Sequence, residues 1–524
     1  MRERKKLVSS INTNGLKYLI FILILCSNKI IVGQKGAKWV TGSGNIIDFT
    51  TNPASSYLEC DSFNVSSYYW GHSNICGMNN DIIFNFNRYY TVGKGCPIVL
   101  LDNGDKNPNN KLAVSLQQFI QQSIILPKKN DQYYVFYKGM SNQAYDDYFA
   151  QVGDWNLDMF LNHIVDMNAN NGKGKVIVKD NILMSSARLS GNSLSATRHA
   201  NGRDWWLVLP HREKDVLYTF QVTPDTILPL TIQNMGGADF VANNWGQSNF
   251  SIDGSLYAHA HYNDSIEVNT FERCTGHMSN IKRIASPKDT VYYYDPEFEK
   301  DTFGLVSAGT GVCFSPDNQY LYIVSPYTVW QYDLSTDEFV NLRTDKVYNW
   351  AEYVTAYNAP DGRIYLGNWN ITNYSLSYIE HPNKKGINAN FCQFCLQTIN
   401  STSAPPNMPN YDLGALAGSP CDTLRFAPIV AEEPLLIPNA FSPNDDDLND
   451  TWHLLNVGAL QYSGYSIQAV GVYNRWGNEV FKSNDINFVW SGKGWASDSY
   501  YYFIRYRTKE GVSKVQKGSV SIVR

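Results

Sequence analysis

Ser315-Pro316-Asp317-Asn318, followed one residue later by Tyr320-Leu321-Tyr322-Ile323-Val324, is a turn running into a strand, and this unit decides the fold of the first 400 residues. Proline presets φ for a turn corner, and Asp and Asn side chains bond their own backbone there. The aromatic and β-branched residues that follow suit a pleated, half-buried surface. The unit recurs. Ala359-Pro360-Asp361-Gly362 precedes Ile364-Tyr365-Leu366-Gly367, and Ser251-Ile252-Asp253-Gly254 precedes Leu256-Tyr257-Ala258-His259-Ala260. Looser copies are Asn201-Gly202-Arg203-Asp204 before Trp205-Trp206-Leu207-Val208-Leu209, Lys129-Asn130-Asp131 before Tyr133-Tyr134-Val135-Phe136-Tyr137, and Asn79-Asn80-Asp81 before Ile82-Ile83-Phe84-Asn85-Phe86.

Consecutive turns lie roughly 45–73 residues apart, which fits the ~40–50 residues of a propeller blade plus loop insertions. Each repeated hairpin buries a face only against its neighbours, and closing the ring removes exposed sheet edges. The expectation is an all-β chain with a β-propeller of six to eight blades over residues 36–400. The strand from Trp39 to Phe49, carrying Gly42 and Gly44, is expected to complete the last blade beside the segment near Phe391. Residues 114–122, Val-Ser-Leu-Gln-Gln-Phe-Ile-Gln-Gln, read as a helical insertion or a strand. A stack of β-sandwiches would instead show boundaries every ~100 residues, and no linkers stand at that interval. Ser315-Pro316-Asp317 with Val329-Trp330-Gln331-Tyr332-Asp333-Leu334 resembles WD40-type or YVTN-type propeller blades.

Residues 401–434 carry Pro405, Pro406, Pro409, Pro420, Pro428 and Pro434, a composition that disfavours helix and central strand and reads as a linker. Beyond it, residues 435–524 offer six or seven short strands between Gly, Asn and Asp turns, which suits a small immunoglobulin-like sandwich. Four separated motifs mark this region. They are Pro438-Asn439-Ala440-Phe441-Ser442-Pro443 with Asn449-Asp450, Tyr473-Asn474-Arg475-Trp476-Gly477, Trp490, and Gly518 with the terminal Arg524. Their order and spacing resemble the gliding motility-associated C-terminal domain, the type B sorting domain of the type IX secretion system. The run from Tyr357 to the Cys392 and Cys421 region likewise resembles propeller domains that commonly precede such sorting domains. The resemblance implies export across the outer membrane to the cell surface or medium, with the type IX machinery as partner. Relatives carry glycines in the acidic turn where this chain has Asp445 and Asp447, and Asp-Gly-Thr where it has Ser497-Asp498-Ser499. Asp tolerates the left-handed backbone better than most residues. The oxygen donors Asp445, Asp447, Asn449 and Asp450 suit calcium, a cation that prefers oxygen ligands. An Asx-rich turn bonding its own backbone accounts for the same residues, and with Asp450 where an EF-hand has Gly this is no EF-hand.

At the other end, Arg2, Arg4, Lys5, Lys6 and Lys17 precede the apolar run Tyr18-Leu19-Ile20-Phe21-Ile22-Leu23-Ile24-Leu25-Cys26. Residues 1–34 read as a signal peptide, since the run is far short of the ~20 residues that span a bilayer. Leu25 before Cys26 argues against lipidation, and no later stretch is long and apolar enough for a transmembrane segment in the mature chain. Residues 1–34 hold six Lys/Arg and one Glu, so their removal takes the formal net charge from -5 to about -10. No nucleic-acid partner is expected, because the phosphate backbone demands basic surface. Eight cysteines remain, an even number in an oxidising compartment. Cys392-x-x-Cys395 has no second such pair to complete a zinc site and no βαβ unit for redox work. A structural disulfide, with Cys392 or Cys395 joined to Cys421, is the expected role.

No linear catalytic signature stands out: there is no Gly-x-Ser-x-Gly, no His-Glu-x-x-His and no phosphate-binding Gly-rich loop. His259 and His261 would share a strand face and so could pair on a metal, but no third ligand is evident nearby, and satisfied blade histidines explain them as well. Asp146 with Asp147, and Glu432 with Glu433, are adjacent in sequence, whereas two acids flanking a sugar bond come from different strands. Two functions remain: a surface-displayed binding, adhesion or scaffold module for an extracellular glycan or protein, or a secreted propeller hydrolase acting on glycans or peptides. The missing signatures favour the first. Two carboxylates facing each other across the channel mouth would favour the second.

Overall fold

In each repeated unit the turn joins the first and second strands of a small antiparallel sheet. Around Ser315 the hydroxyl donates to Asp317 Oδ1 at 2.6 Å and accepts the Tyr320 N–H at 2.9 Å, while Asn318 takes φ 59°. The Ser251 copy repeats this, with Asp253 Oδ1 at 2.6 Å, the Leu256 N–H at 2.9 Å and Gly254 at φ 72°. There glycine is demanded twice over, because a Cβ on Gly254 would also lie 2.4 Å from Thr197 Oγ1.

The structure, a computed structural model, describes residues 36–58, 71–77, 79–86, 91–93, 99–100, 120–150, 156–235, 246–261, 265–295, 300–307, 310–325, 328–343, 353–368, 373–423, 435, 437–444, 450–454, 460, 465–508 and 511–524. The leader expected at residues 1–34 lies outside them, as does most of the 114–122 segment. The chain divides between residues 424 and 425 into two units.

In the first unit the described residues form seven sheets of three or four strands. Their opening strands are, in order, Lys38–Thr41, Ser73–Cys76, Ser123–Pro127, Ser195–Arg198, Ser248–Phe250, Gly311–Phe314 and Tyr353–Asn358. Burial falls across each sheet. The opening strands are almost wholly buried, whereas the last ones, such as Lys175–Met184, Thr231–Asn234 and His277–Ala285, are largely exposed. A two-stranded hairpin, Lys288–Asp295 with Lys300–Ser307, is inserted between the fifth and sixth sheets.

Neighbouring sheets are tied edge to edge. Asn74 links the second sheet to the first by donating to Lys38 O at 2.9 Å and accepting from Val40 N–H at 3.2 Å. Ser73 meets Ser123 at 2.9 Å, the Ile120 N–H donates to Asn192 Oδ1 at 2.8 Å, Ser195 meets Ser248 at 3.1 Å, and Gln247 and Thr310 carry the chain of contacts through the sixth and seventh sheets. The ring closes where Thr41 bonds Thr402 at 2.9 Å and Asn45 exchanges hydrogen bonds with Asn400. Trp39, Phe49 and Tyr365 pack ring to ring at that seam, with centroids 4.7–5.8 Å apart. This is a β-propeller. The Trp39 strand does not join the last sheet, as its sequence suggested. It opens a sheet of its own, because Asn45–Asp48 pairs with it and Ser55–Leu58 pairs in turn with Asn45–Asp48.

The described part of the expected linker, residues 401–423, belongs to this first unit. Proline-rich chain cannot join a ladder, but it can cross a surface, and here it enters the ring. Asn407 is 2 % exposed; its amide donates to Ser123 O at 3.0 Å and Leu194 O at 2.8 Å, and its backbone N–H donates to His72 O at 2.9 Å. Tyr411 follows, donating to Ile125 O at 2.7 Å. The segment is then pinned by a Cys274–Cys421 disulfide, while Cys392 pairs with Cys395. Cys421 therefore does not bond either member of the Cys-x-x-Cys pair, because the chain has travelled to the fourth and fifth sheets before reaching it; Leu416 N–H donates to Ala200 O there.

The second unit is a five-stranded sheet, with Ala440–Phe441 parallel to Ser513–Ile522 and the other pairings antiparallel. Along Ser499–Arg507 the residues alternate, Tyr500, Ile504 and Tyr506 inward and Tyr501 outward. Trp452 and Trp490 bridge over the inner face and close a separate core with Phe441, Val472, Phe488 and Val520. No helix among the described residues is long and apolar enough to cross a membrane.

Replacing Asn407 with Ala strips two buried carbonyls of their donor and should lower stability by about 2–5 kcal/mol; an unchanged urea midpoint would show that the amide is dispensable. Acid should also weaken the ring. Burial drives His72 and His163 down to about 4, and His163 Nδ1 accepts the Asp180 N–H. Their folded values lie below the unfolded one, so the unfolded chain binds protons first. Stability is full above about pH 6.5 and declines towards pH 4, by on the order of 2 kcal/mol per histidine at pH 5. A melting temperature that does not move between pH 7 and pH 5 would contradict this.

Candidate functional site

Amide side chains fill the middle of the ring. Gln121 donates to Ser248 O and accepts the Ser248 N–H, both at 2.9 Å, and also donates to Asn407 Oδ1 at 3.2 Å. Gln247 accepts from the N–H groups of Val312 and Ala356 at 3.1 and 2.9 Å and donates to Ala356 O at 2.9 Å. Among the described residues these amides tie the sheets together, and beside them opens a cavity that we call the mouth.

That mouth is a cavity of about 340 Å³. It sits where the opening strands of the first, third, fourth, fifth and seventh sheets approach the crossing segment 406–412. Trp39, Phe250, Tyr357 and Tyr411 supply aromatic surface, and Asn249, Asn358 and Asn410 supply amides. Asn410 and Asn358 are oriented by bonds to Ile252 O at 2.8 Å and Phe314 O at 3.0 Å. That bond occupies the Asn358 amino group and leaves its buried Oδ1 with no protein partner. Asp412 is the one carboxylate among the described lining residues. The paired acids that hydrolysis requires are not brought together here: Asp146 and Asp147 lie on the helix Asn142–Phe149, where Asp147 accepts from Gln143 at 2.7 Å, and Glu432 and Glu433 lie outside the described residues.

Sequence reasoning missed the amides of the crossing segment because proline masked them as linker. It also missed Glu267, the third group beside His259 and His261. In the antiparallel pairing of Leu256–His261 with Ser265–Glu272, Glu267 stands directly opposite His259. The sequence signal that could have found it is Asn263-Asp264, a turn-forming pair between two strand-like runs.

In the second unit the motif residues divide between core and surface. Phe441 and Trp490 are buried, the Trp452 indole donates to Pro438 O at 2.8 Å, and Asn439 O accepts the Ser521 N–H at 2.9 Å. Pro443 is half-buried. Gly518 lies against the Tyr502 ring, where a Cβ would come within 2.5 Å of the hydroxyl. Tyr473 ends a strand, and Asn474 Oδ1 then accepts the N–H groups of Trp476 and Asn478 at 3.0 Å, with Gly477 at φ 79°. Trp476 is 78 % exposed, with Arg475 over its face and paired to Asp498 at 3.2 Å. Arg524 donates to Gly492 O at 3.2 Å. Asp450 accepts the Asn444 N–H at 2.9 Å, while Asp445, Asp447 and Asn449, the other candidate calcium ligands, lie outside the described residues.

The fold thus defines a β-propeller protein with a separate C-terminal β unit. Residues 435–522 match the family model of the CHU_C type IX secretion signal domain, which sends the protein through the type IX system to the cell surface. No curated protein matches the chain. Among solved structures it is similar to a protein from Bacteroides uniformis assigned as a 6-phosphogluconolactonase, at 10% identity and TM-score 0.33 over 62% of this chain and 92% of that one. It is also similar to the extracellular domain of a protein from B. thetaiotaomicron assigned as a one-component system, at 10% identity and TM-score 0.36 over 94% of this chain and 57% of that one.

Deleting residues 435–524 should leave the protein in the periplasm, read by cell fractionation and surface labelling; surface display of the truncated chain would refute the sorting role.

Proposed function

We propose that the propeller, residues 36–400 completed by the crossing segment, is a surface-displayed binding module for a neutral, hydroxyl-rich extracellular glycan, exported by the sorting domain at residues 435–524. The mouth cavity carries this reading. Its 340 Å³ falls in the range of ligand sites, and its amides and hydroxyls can pair with sugar hydroxyls while the aromatic edges meet the apolar faces of the ring. Asn358 brings to the mouth an amide held in place by its bond to Phe314 O. With Asp412 as the one acid among the described lining residues, these residues do not supply the pair of carboxylates roughly 5–10 Å apart that glycoside hydrolysis uses, so binding is favoured over catalysis. We assign the motif residues of the second unit to folding and recognition of the export signal.

Calorimetry of the purified chain against a panel of neutral oligosaccharides should find at least one ligand. Asn358→Ala and Asp412→Ala should weaken it about tenfold or more with the circular dichroism spectrum unchanged. No binder in the panel, or a binder indifferent to both substitutions, would reject the proposal.

A further inference from the structure

Two imidazoles and a carboxylate meet inside the fifth sheet, among residues that the mouth does not use. On its second strand His259 and His261 are two residues apart and share a face, with ring centroids 4.6 Å from each other. Glu267, across the ladder from His259, points to the same face. The three are 2 %, 4 % and 5 % exposed, and one ligand atom from each lies within 4.8 Å of the others. They border a small space of about 10 Å³, room for a single small species.

The groups behind them set their chemistry. Ser193 donates its hydroxyl proton to Gly246 O at 2.5 Å, so at 2.9 Å its oxygen accepts from His259 Nε2–H. That fixes the tautomer and leaves the lone pair on Nδ1. Arg283 holds Glu267 Oε1 at 3.1 Å, while Oε2 lies 3.8 Å from His261 Nε2. Asp215, 2.7 Å from the Arg283 guanidinium, offsets its charge. Oriented histidines and a carboxylate with one oxygen tethered are what a metal's outer partners provide.

We propose that His259, His261 and Glu267 bind one divalent transition-metal ion of the zinc class, with the fourth position left to a water in the small cavity. Two nitrogens and one oxygen suit zinc or cobalt, whereas calcium and magnesium take all-oxygen sets. Bonds of ~2.0–2.1 Å put tetrahedral ligand atoms about 3.4 Å apart, so small side-chain rotations close the site. The ion would clip the second and third strands of the fifth sheet together.

The test is titration of the chelator-treated chain with cobalt(II), read by its visible ligand-field spectrum, with zinc competition and thermal melting alongside. One equivalent with a tetrahedral spectrum, displaced by zinc and accompanied by a raised melting temperature, is expected. His261→Gln and Glu267→Gln should abolish the spectrum, Ser193→Ala should weaken binding about 10–100-fold, and the exposed His277→Ala should change nothing. Absence of the spectrum in the native chain overturns the proposal, and so does its survival in both ligand variants or its loss in His277→Ala. If a ligand variant fails to fold, the native spectrum and the Ser193→Ala affinity decide. None of these outcomes depends on glycan binding.

Discussion

The ring depends on what happens to backbone groups at the inner edge of each sheet. An opening strand pairs with a second strand on one side only, so its other edge carries N–H and C=O groups that face the middle of the ring, away from water. An unsatisfied buried group of this kind costs about 1–3 kcal/mol, and seven such edges would undo much of the gain from burying the sheets. Asn74, Gln121, Gln247 and Asn407 remove that cost, since an amide offers a donor and an acceptor at the spacing a strand edge presents. Because Asn74, Gln121 and Gln247 each bond a sheet other than their own, and Asn407 bonds the third sheet and the approach to the fourth, the same contacts hold neighbouring sheets together.

Filling the middle with amides has a functional consequence. At the mouth the chain's return through residues 406–412 adds amide and aromatic groups to those of the opening strands, which is where the proposed recognition would occur. A segment that looks like a connector becomes a wall of the cavity. The disulfide from Cys274 to Cys421 then anchors its far end, which keeps the wall in place outside the cell, where reducing agents are scarce.

The second unit has its own buried aromatic core and needs no residue of the ring to form it. Its motif residues do two kinds of work. Phe441, Trp490 and Gly518 shape the core, while Arg475 and Trp476 stand exposed on a hairpin whose geometry Asn474 and Gly477 set. An export signal with an independent core can serve cargo of any shape, which is why so much of it was legible from local motifs.

Local chemistry alone determined the repeated hairpins and the ring they imply, while separated motifs marked the sorting domain by resemblance. For the hairpins the signal lies within a dozen residues: Ser315 and Asp317 cap the turn they occupy, and Tyr320 to Val324 fill the strand that follows. Tertiary structure decided the rest. Asn407 and Gln121 are 286 residues apart, Cys421 finds Cys274 and not its nearer neighbours, and the Trp39 strand opens a sheet instead of ending one. Those outcomes depend on which distant edges closure brings together, and side-chain amides, thiols and strands of similar composition do not carry their partners' names. Glu267 lies between the two cases, since its partner His259 is only a hairpin away and the register of that hairpin places it.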